Sequence, residues 1–131
     1  MGRGTFSSQQ SVIILRVGME GKAGRRLYLR MALDTGASLT VIPWIAAEAL
    51  GYDPAHSARR VQFMTGSGME AAPTCSIAAM EVLGERVRRV AVLCHDLPQR
   101  SLVDGLLGLS FLRQCRLDID FPHGVIDLRC L

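Results

Sequence analysis

Met31-Ala32-Leu33-Asp34-Thr35-Gly36-Ala37-Ser38 is an acidic residue set directly behind an apolar run, followed by Thr-Gly and then by a new apolar run, Leu39 to Ile42. A carboxylate that leaves a packed strand is held rigidly, as a catalytic group must be. Gly36 has no side chain to keep backbone away, so its amide can approach and donate to the carboxylate. The Ser38 hydroxyl is placed to add a second bond, and bonds of this kind favour the ionised form that a general base needs. Taken alone, the tripeptide reads more readily as a turn between strands with Asp34 capping it. The surroundings of the stretch therefore have to decide.

Upstream, Arg26 to Leu33 alternates polar and apolar residues and predicts a strand, paired across a turn at Gly18 to Gly24 with another from Ser11 to Val17. Downstream, Leu39 to Ile42 is a short strand closed by Pro43, and Trp44 to Leu50 is a helix with Pro43 at its start and Gly51 at its stop. Val61 to Met64 and Met69 to Ala72 flank Thr65, Gly66, Ser67 and Gly68, a hairpin signal. Thr74 to Leu83 and Arg86 to Cys94 form a second pair around Gly84-Glu85. Leu106 to Leu112 turns helical after Gly108. Arg116 to Ile119 and Val125 to Leu128 close the chain as a hairpin across Phe121 to Gly124. Many short strands with one or two short helices predict a mostly β fold, a closed β-barrel.

The 131 residues fit one domain, read as a polar tail over 1–10 and a single domain over 11–131. Apolar residues make up 49%, which suits a packed core. No run approaches the roughly 20 apolar residues of a membrane-spanning helix, and Met1 to Gln10 lacks the apolar centre of a signal peptide. The net charge of +3 is carried by arginines that fall in pairs: Arg25-Arg26, Arg59-Arg60 and Arg88-Arg89. Aromatics are 5% of residues and do not interleave with these pairs, which argues against nucleic acid as a partner. Cys75, Cys94, Cys115 and Cys130 form no CxxC pair and have no histidine at ligand spacing, so no structural metal is expected. Reduced, mostly buried thiols and a cytoplasmic setting are the expectation. Asp118 and Asp120 share a strand face but supply too few oxygens for a cation. Cys94 and His95 are adjacent and would face opposite ways on a strand, which argues against a thiol nucleophile.

The context of Asp34 resolves the ambiguity. Asp34-Thr35-Gly36-Ala37-Ser38 behind Met-Ala-Leu resembles the active-site loop of the retropepsin-like aspartic proteases. About seventy residues on, Val103-Asp104-Gly105-Leu106-Leu107-Gly108 resembles that family's second signature, which implies that Gly105, Leu106, Leu107 and Gly108 thread beside the catalytic loop. The hairpin at Thr65 to Gly68 stands where the family carries its flap. Phe111-Leu112, Leu117 to Pro122 and Val125 to Leu128 resemble bacterial and eukaryotic relatives, so the likeness spans Ser11 to Leu128. It departs at Ser38, where retroviral enzymes carry an acid, and at Leu109-Ser110, where they carry an arginine that ties down the helix. The first departure points to the cellular and bacterial branch; the second bears on the interface contacts near the active site.

Aspartic proteases activate water between two carboxylates that share a proton. The chain holds one Asp-Thr-Gly, and Asp104, Asp118 and Asp120 lack its surroundings. A two-fold homodimer supplies the second Asp34, and the resemblance implies that Thr35 hydroxyls bond across that axis. The expectation is an aspartic endopeptidase acting on extended peptides, with no cofactor and no metal. A catalytically silent peptide-binding or dimerisation module of the same fold is the alternative.

Overall fold

The computed structural model describes residues 2–131. Ten strands and two α-helices order as β1 (Gly2–Thr5), β2 (Ile14–Glu20), β3 (Arg26–Leu33), β4 (Thr40–Ile42), α1 (Trp44–Ala49), β5 (Arg60–Thr65), β6 (Gly68–Val82), β7 (Glu85–Cys94), β8 (Gly105–Leu107), α2 (Leu109–Leu112), β9 (Cys115–Asp120) and β10 (Val125–Cys130). The alternation of β3 survives folding: Arg26, Tyr28 and Arg30 are exposed, while Leu27 and Leu29 pack on the core and Met31 is sealed within it. α1 forms where Pro43 and Gly51 bracket it. Its Ala46 and Ala47 are buried, and the Trp44 amide donates to the Asp96 carboxylate at 2.9 Å, which satisfies one of the free donors of the first turn.

A seven-stranded sheet runs in the order β2-β3-β8-β4-β7-β6-β5, and β2 also pairs with β6. Hydrogen bonding therefore passes from β2 through β3, β8, β4, β7 and β6 back to β2. Val17, Met31, Ile42, Ile77, Val90 and Leu107 fill the space between these strands, all at 0% exposure. A second, three-stranded sheet, which the sequence reading did not separate, stands beside the seven-stranded one. β1, β10 and β9 pair only with one another, because α2 turns the chain away before β9 begins.

The tail read over residues 1–10 is corrected at Gly2–Thr5, which form β1 and pair antiparallel with Val125 to Leu128. The Arg3 guanidinium grips the Asp127 carboxylate at 2.7 Å. The reason is steric as well as electrostatic. A Cβ on Gly2 would stand 2.0 Å from the Leu83 carbonyl oxygen, so only glycine lets β1 lie against the β6–β7 turn. That turn has Leu83 and Gly84 both at positive φ (52° and 81°), the two-residue geometry that matches the twist of a hairpin.

Two strands expected at Met69 to Ala72 and Thr74 to Leu83 are one, β6, running through Pro73. The missing N–H is tolerated because Pro73 sits at the changeover: up to Pro73 the strand pairs with β5, and from Thr74 it pairs with β7. The expectation of four reduced thiols is also corrected. Cys115 and Cys130, opposite each other on β9 and β10, form a disulfide. Cys75 and Cys94 stay free, their sulfurs 3.6 Å apart.

Candidate active site

Asp34 is delivered by the parallel pairing of β3 with β8. Met31, Ala32 and Leu33 lie beside Gly105, Leu106 and Leu107, and the Asp34 amide extends that ladder to the Leu107 carbonyl at 3.0 Å. The backbone is thus pinned up to the residue that carries the carboxylate. The chain then turns at once. The Gly36 amide donates to Asp34 Oδ1 at 2.9 Å, and the Ala37 amide to the Asp34 carbonyl at 3.3 Å. A Cβ on Gly36 would lie 3.2 Å from Oδ1, so the approach of that amide depends on the missing side chain. Asp34 is half-buried, and Thr35 and Gly36 are exposed. Ser38 is exposed too, and its hydroxyl makes no hydrogen bond among the described residues. The expected second bond to the carboxylate is therefore not formed.

β8 is enclosed by the loop it supports. On its other side Leu106 pairs antiparallel with Val41 of β4. A Cβ on Gly105 would meet the Val41 carbonyl oxygen at 2.1 Å, and one on Gly108 would meet the Ala37 and Leu39 carbonyl oxygens at 2.6 and 2.8 Å. Neither glycine is at positive φ. Both are required by space, because two backbones cross there.

Thr40, central to the crossing, carried no expectation, and Ser110 stood only as a departure from the family pattern. Thr40 is fully buried; its Oγ1 accepts from the Gly108 amide at 3.1 Å, and its own amide donates to Ser110 Oγ at 2.8 Å. The Leu109 amide closes the clasp on the Ala37 carbonyl at 2.8 Å. Ser110 thus ties the start of α2 to β4 by a hydrogen bond. The available signal was a polar Thr inside the apolar run Leu39 to Ile42.

The hairpin at Thr65 to Gly68 turns tightly over Gly66-Ser67, with the Thr65 hydroxyl donating to the Gly68 carbonyl at 3.0 Å and accepting from the Ser67 amide at 3.1 Å. Gly68 is at φ 114°, and side chains at Gly66 or Gly68 would point into open space. Met64 and Met69 beside the turn are largely exposed. The root of the hairpin is anchored. Phe63 meets the His95 ring edge-on at 4.8 Å and joins a small cluster with Val41, Ala72, Leu93, Leu39 and Leu106, the last two flanking the Asp34 loop. Beside that loop an apolar cleft of about 330 Å³ opens between Val12, Ala32, Leu97, Leu102 and Leu106.

The other candidates have local roles. The Asp104 carboxylate accepts from the Arg30 amide at 2.9 Å and its amide returns a bond to the Arg30 carbonyl. Asp120 is held below the usual carboxylate range, first by the His123 amide. Cys94 is buried, and that burial pushes its thiol up to about 12, where no thiolate nucleophile exists near neutrality. No cluster of His, Cys, Asp or Glu among the described residues is arranged to hold a metal ion.

The pattern of the aspartyl protease family matches residues 19–111, from within β2 through the Asp34 loop and β8 into α2. This chain belongs to the aspartyl protease family. In backbone it is similar to a retropepsin-like aspartic protease from Rickettsia conorii, with a TM-score of 0.70 over 98% of this chain and 99% of that one at 18% identity. At that identity the likeness is one of fold, and the aspartyl protease chain described here has the retropepsin-like fold. No curated protein matches its sequence.

Proposed function

We propose that the protein is an aspartic endopeptidase, assembled from two copies, in which water is activated between two Asp34 carboxylates. The observation that carries this is the Asp34 loop itself. One carboxylate is fixed at a crossing of backbones, oriented by the Gly36 amide and left half-open to solvent. A binding role has no use for that carboxylate, which speaks against a silent module.

One carboxylate cannot be both base and acid, so the site is incomplete in a single copy. With the second Asp34 across a two-fold axis, the ionised member takes a proton from water as its oxygen adds to the peptide carbonyl carbon. The protonated member hydrogen-bonds the carbonyl oxygen. When the tetrahedral intermediate collapses, the C–N bond breaks, the amine leaves with a proton, and the pair again holds one proton between two carboxylates. Thr35, exposed at the loop tip, is the residue to bond the partner loop. The Thr65 to Gly68 hairpin serves as the flap that closes on peptide. Exposed Met64 and Met69 and the cleft by Ala32 and Leu106 suit apolar substrate side chains. These steps require no cofactor. Replacing Asp34 with Asn keeps the shape and removes the charge. Peptide cleavage should fall to background with the fold unchanged by circular dichroism, and turnover persisting in purified Asp34→Asn protein would refute the assignment.

A further inference from the structure

The outer face of β2 and β3 carries a second feature, distinct from the Asp34 loop. Arg16 and Arg30 are directly opposite each other in the β2–β3 register. Like charges so placed destabilise a sheet, yet neither guanidinium has an ion-pair partner among the described residues. The other cations of this face are matched, with Arg86 and Arg26 both on Glu20. Arg16 is moreover held in place: its guanidinium lies 3.9 Å from the centre of the Tyr28 ring. Tyr28 in turn lies against Gly18, where a Cβ would come within 3.1 Å of the ring. A stack of backbone, ring and guanidinium presents the charge without the usual loss of side-chain freedom. Arg16, Tyr28 and Arg30 line a groove of about 610 Å³, to which Phe6 and Gln10 also contribute. Asp104 also lines it, with one carboxylate oxygen taken by the Arg30 amide, so the groove keeps one positive charge in excess.

This groove continues the apolar cleft beside Asp34. Arg30 lines the first and Ala32 the second, two residues apart on the same face of β3. Asp104 and Val103, adjacent in sequence, divide between them in the same way, as do the register partners Ile14 and Ala32. The geometry points to an extended path in which a peptide with an apolar side chain in the cleft places an acidic side chain on Arg16 and Arg30. At roughly 3.3 Å per residue, the acid stands about two to four positions from the apolar anchor. Arg16 and Arg30 are thus specificity-determining residues for acidic flanks of the substrate, an inference that rests on the peptidase reading for its path.

The test reads binding rather than turnover. Two labelled peptides share an apolar centre and carry, two to four residues from it, either Glu-Glu or Gln-Gln. Their affinities are measured by fluorescence anisotropy on Asp34→Asn protein, and again after adding Arg16→Gln and Arg30→Gln. The Glu peptide should bind about tenfold tighter than the Gln peptide on the parent. The preference should vanish in the arginine-free protein, survive in an Arg16→Lys, Arg30→Lys version that retains charge, and shrink between about 50 and 300 mM salt. Equal binding of both peptides, no binding of either, or a preference that outlasts the arginines would overturn the inference. So would inorganic phosphate displacing the Glu peptide at equal concentration, which would mark a free-anion site. If the preference holds but wild-type protein cuts nothing in an Asp34-dependent way, the peptidase reading fails and the basic groove stands as a binding site for acidic peptides.

Discussion

Thr40 lies at 0% exposure with its hydroxyl on the Gly108 amide and its amide on Ser110, so one small side chain fastens the Asp34 loop to the second signature. Thr40→Val keeps the shape but leaves the Gly108 N–H buried and unpaired, at a cost of about 1–3 kcal/mol. Chemical denaturation should register that loss, and an unchanged midpoint would mean that water reaches the amide. Gly108→Ala sets a methyl against two carbonyl oxygens and should destabilise by roughly 1–3 kcal/mol as an overpacked site. Cys94 gives a sign at the alkaline end. Its thiol is raised from 9.0 to about 12, chiefly by burial, so above pH 9 the unfolded chain sheds a proton that the folded one keeps. Stability conferred by the neutral thiol is complete below pH 9 and declines as pH rises toward 12. Melting temperature should therefore drop more steeply from pH 9 to 11 in the wild type than in Cys94→Ala, and parallel slopes would contradict the assignment.

At the scale of elements, the β5–β6 hairpin divides into an anchored root and an open tip. Phe63 and Ala72 are packed, whereas the turn at Gly66-Ser67 has empty space around it and two exposed methionines beside it. Such a segment opens at low free-energy cost. Gly68 sits at φ 114°, which a β-branched residue tolerates poorly. Gly68→Val should therefore change KM and kcat together in a peptide assay. Unaltered kinetic constants would place the flap elsewhere. β1 is the element for which the sequence carried no signal. Gly-Arg-Gly-Thr has neither alternation nor β-branched weight, and it becomes a strand only because β10 offers an edge and Leu83 a surface that glycine can reach.

On the proposed two-copy mechanism each chain holds half a site, so specific activity should fall faster than linearly on dilution and track dimer content by sedimentation. Flat activity in a monomer would refute the two-copy site. Two carboxylates brought together hold one proton over a broad range, so cleavage measured at saturating protein should follow a bell-shaped pH profile, strongest on the acid side of neutrality. A rate that climbs steadily to pH 9 would indicate different chemistry.

The residue order alone determined the mostly β class, the Asp34 loop and the hairpin at 65–68, because each is a local pattern of alternation, glycine and polarity that short-range physics enforces; the segment at 105–108 was tied to the loop only through the family resemblance. It also carried the reason for Gly36, since a bond between residues two apart is local. What it could not hold was anything made by segments distant along the chain. The Thr40–Gly108–Ser110 clasp joins residues about seventy apart. The Cys115–Cys130 bond depends on a register that α2 and the closing turn set together. The Arg16–Arg30 groove arises because β2 and β3 are aligned so that two like charges meet, and a shift of one residue would have turned each to the other face. Registers and crossings are decided by which backbones can pack closest, and that is a property of the assembled fold.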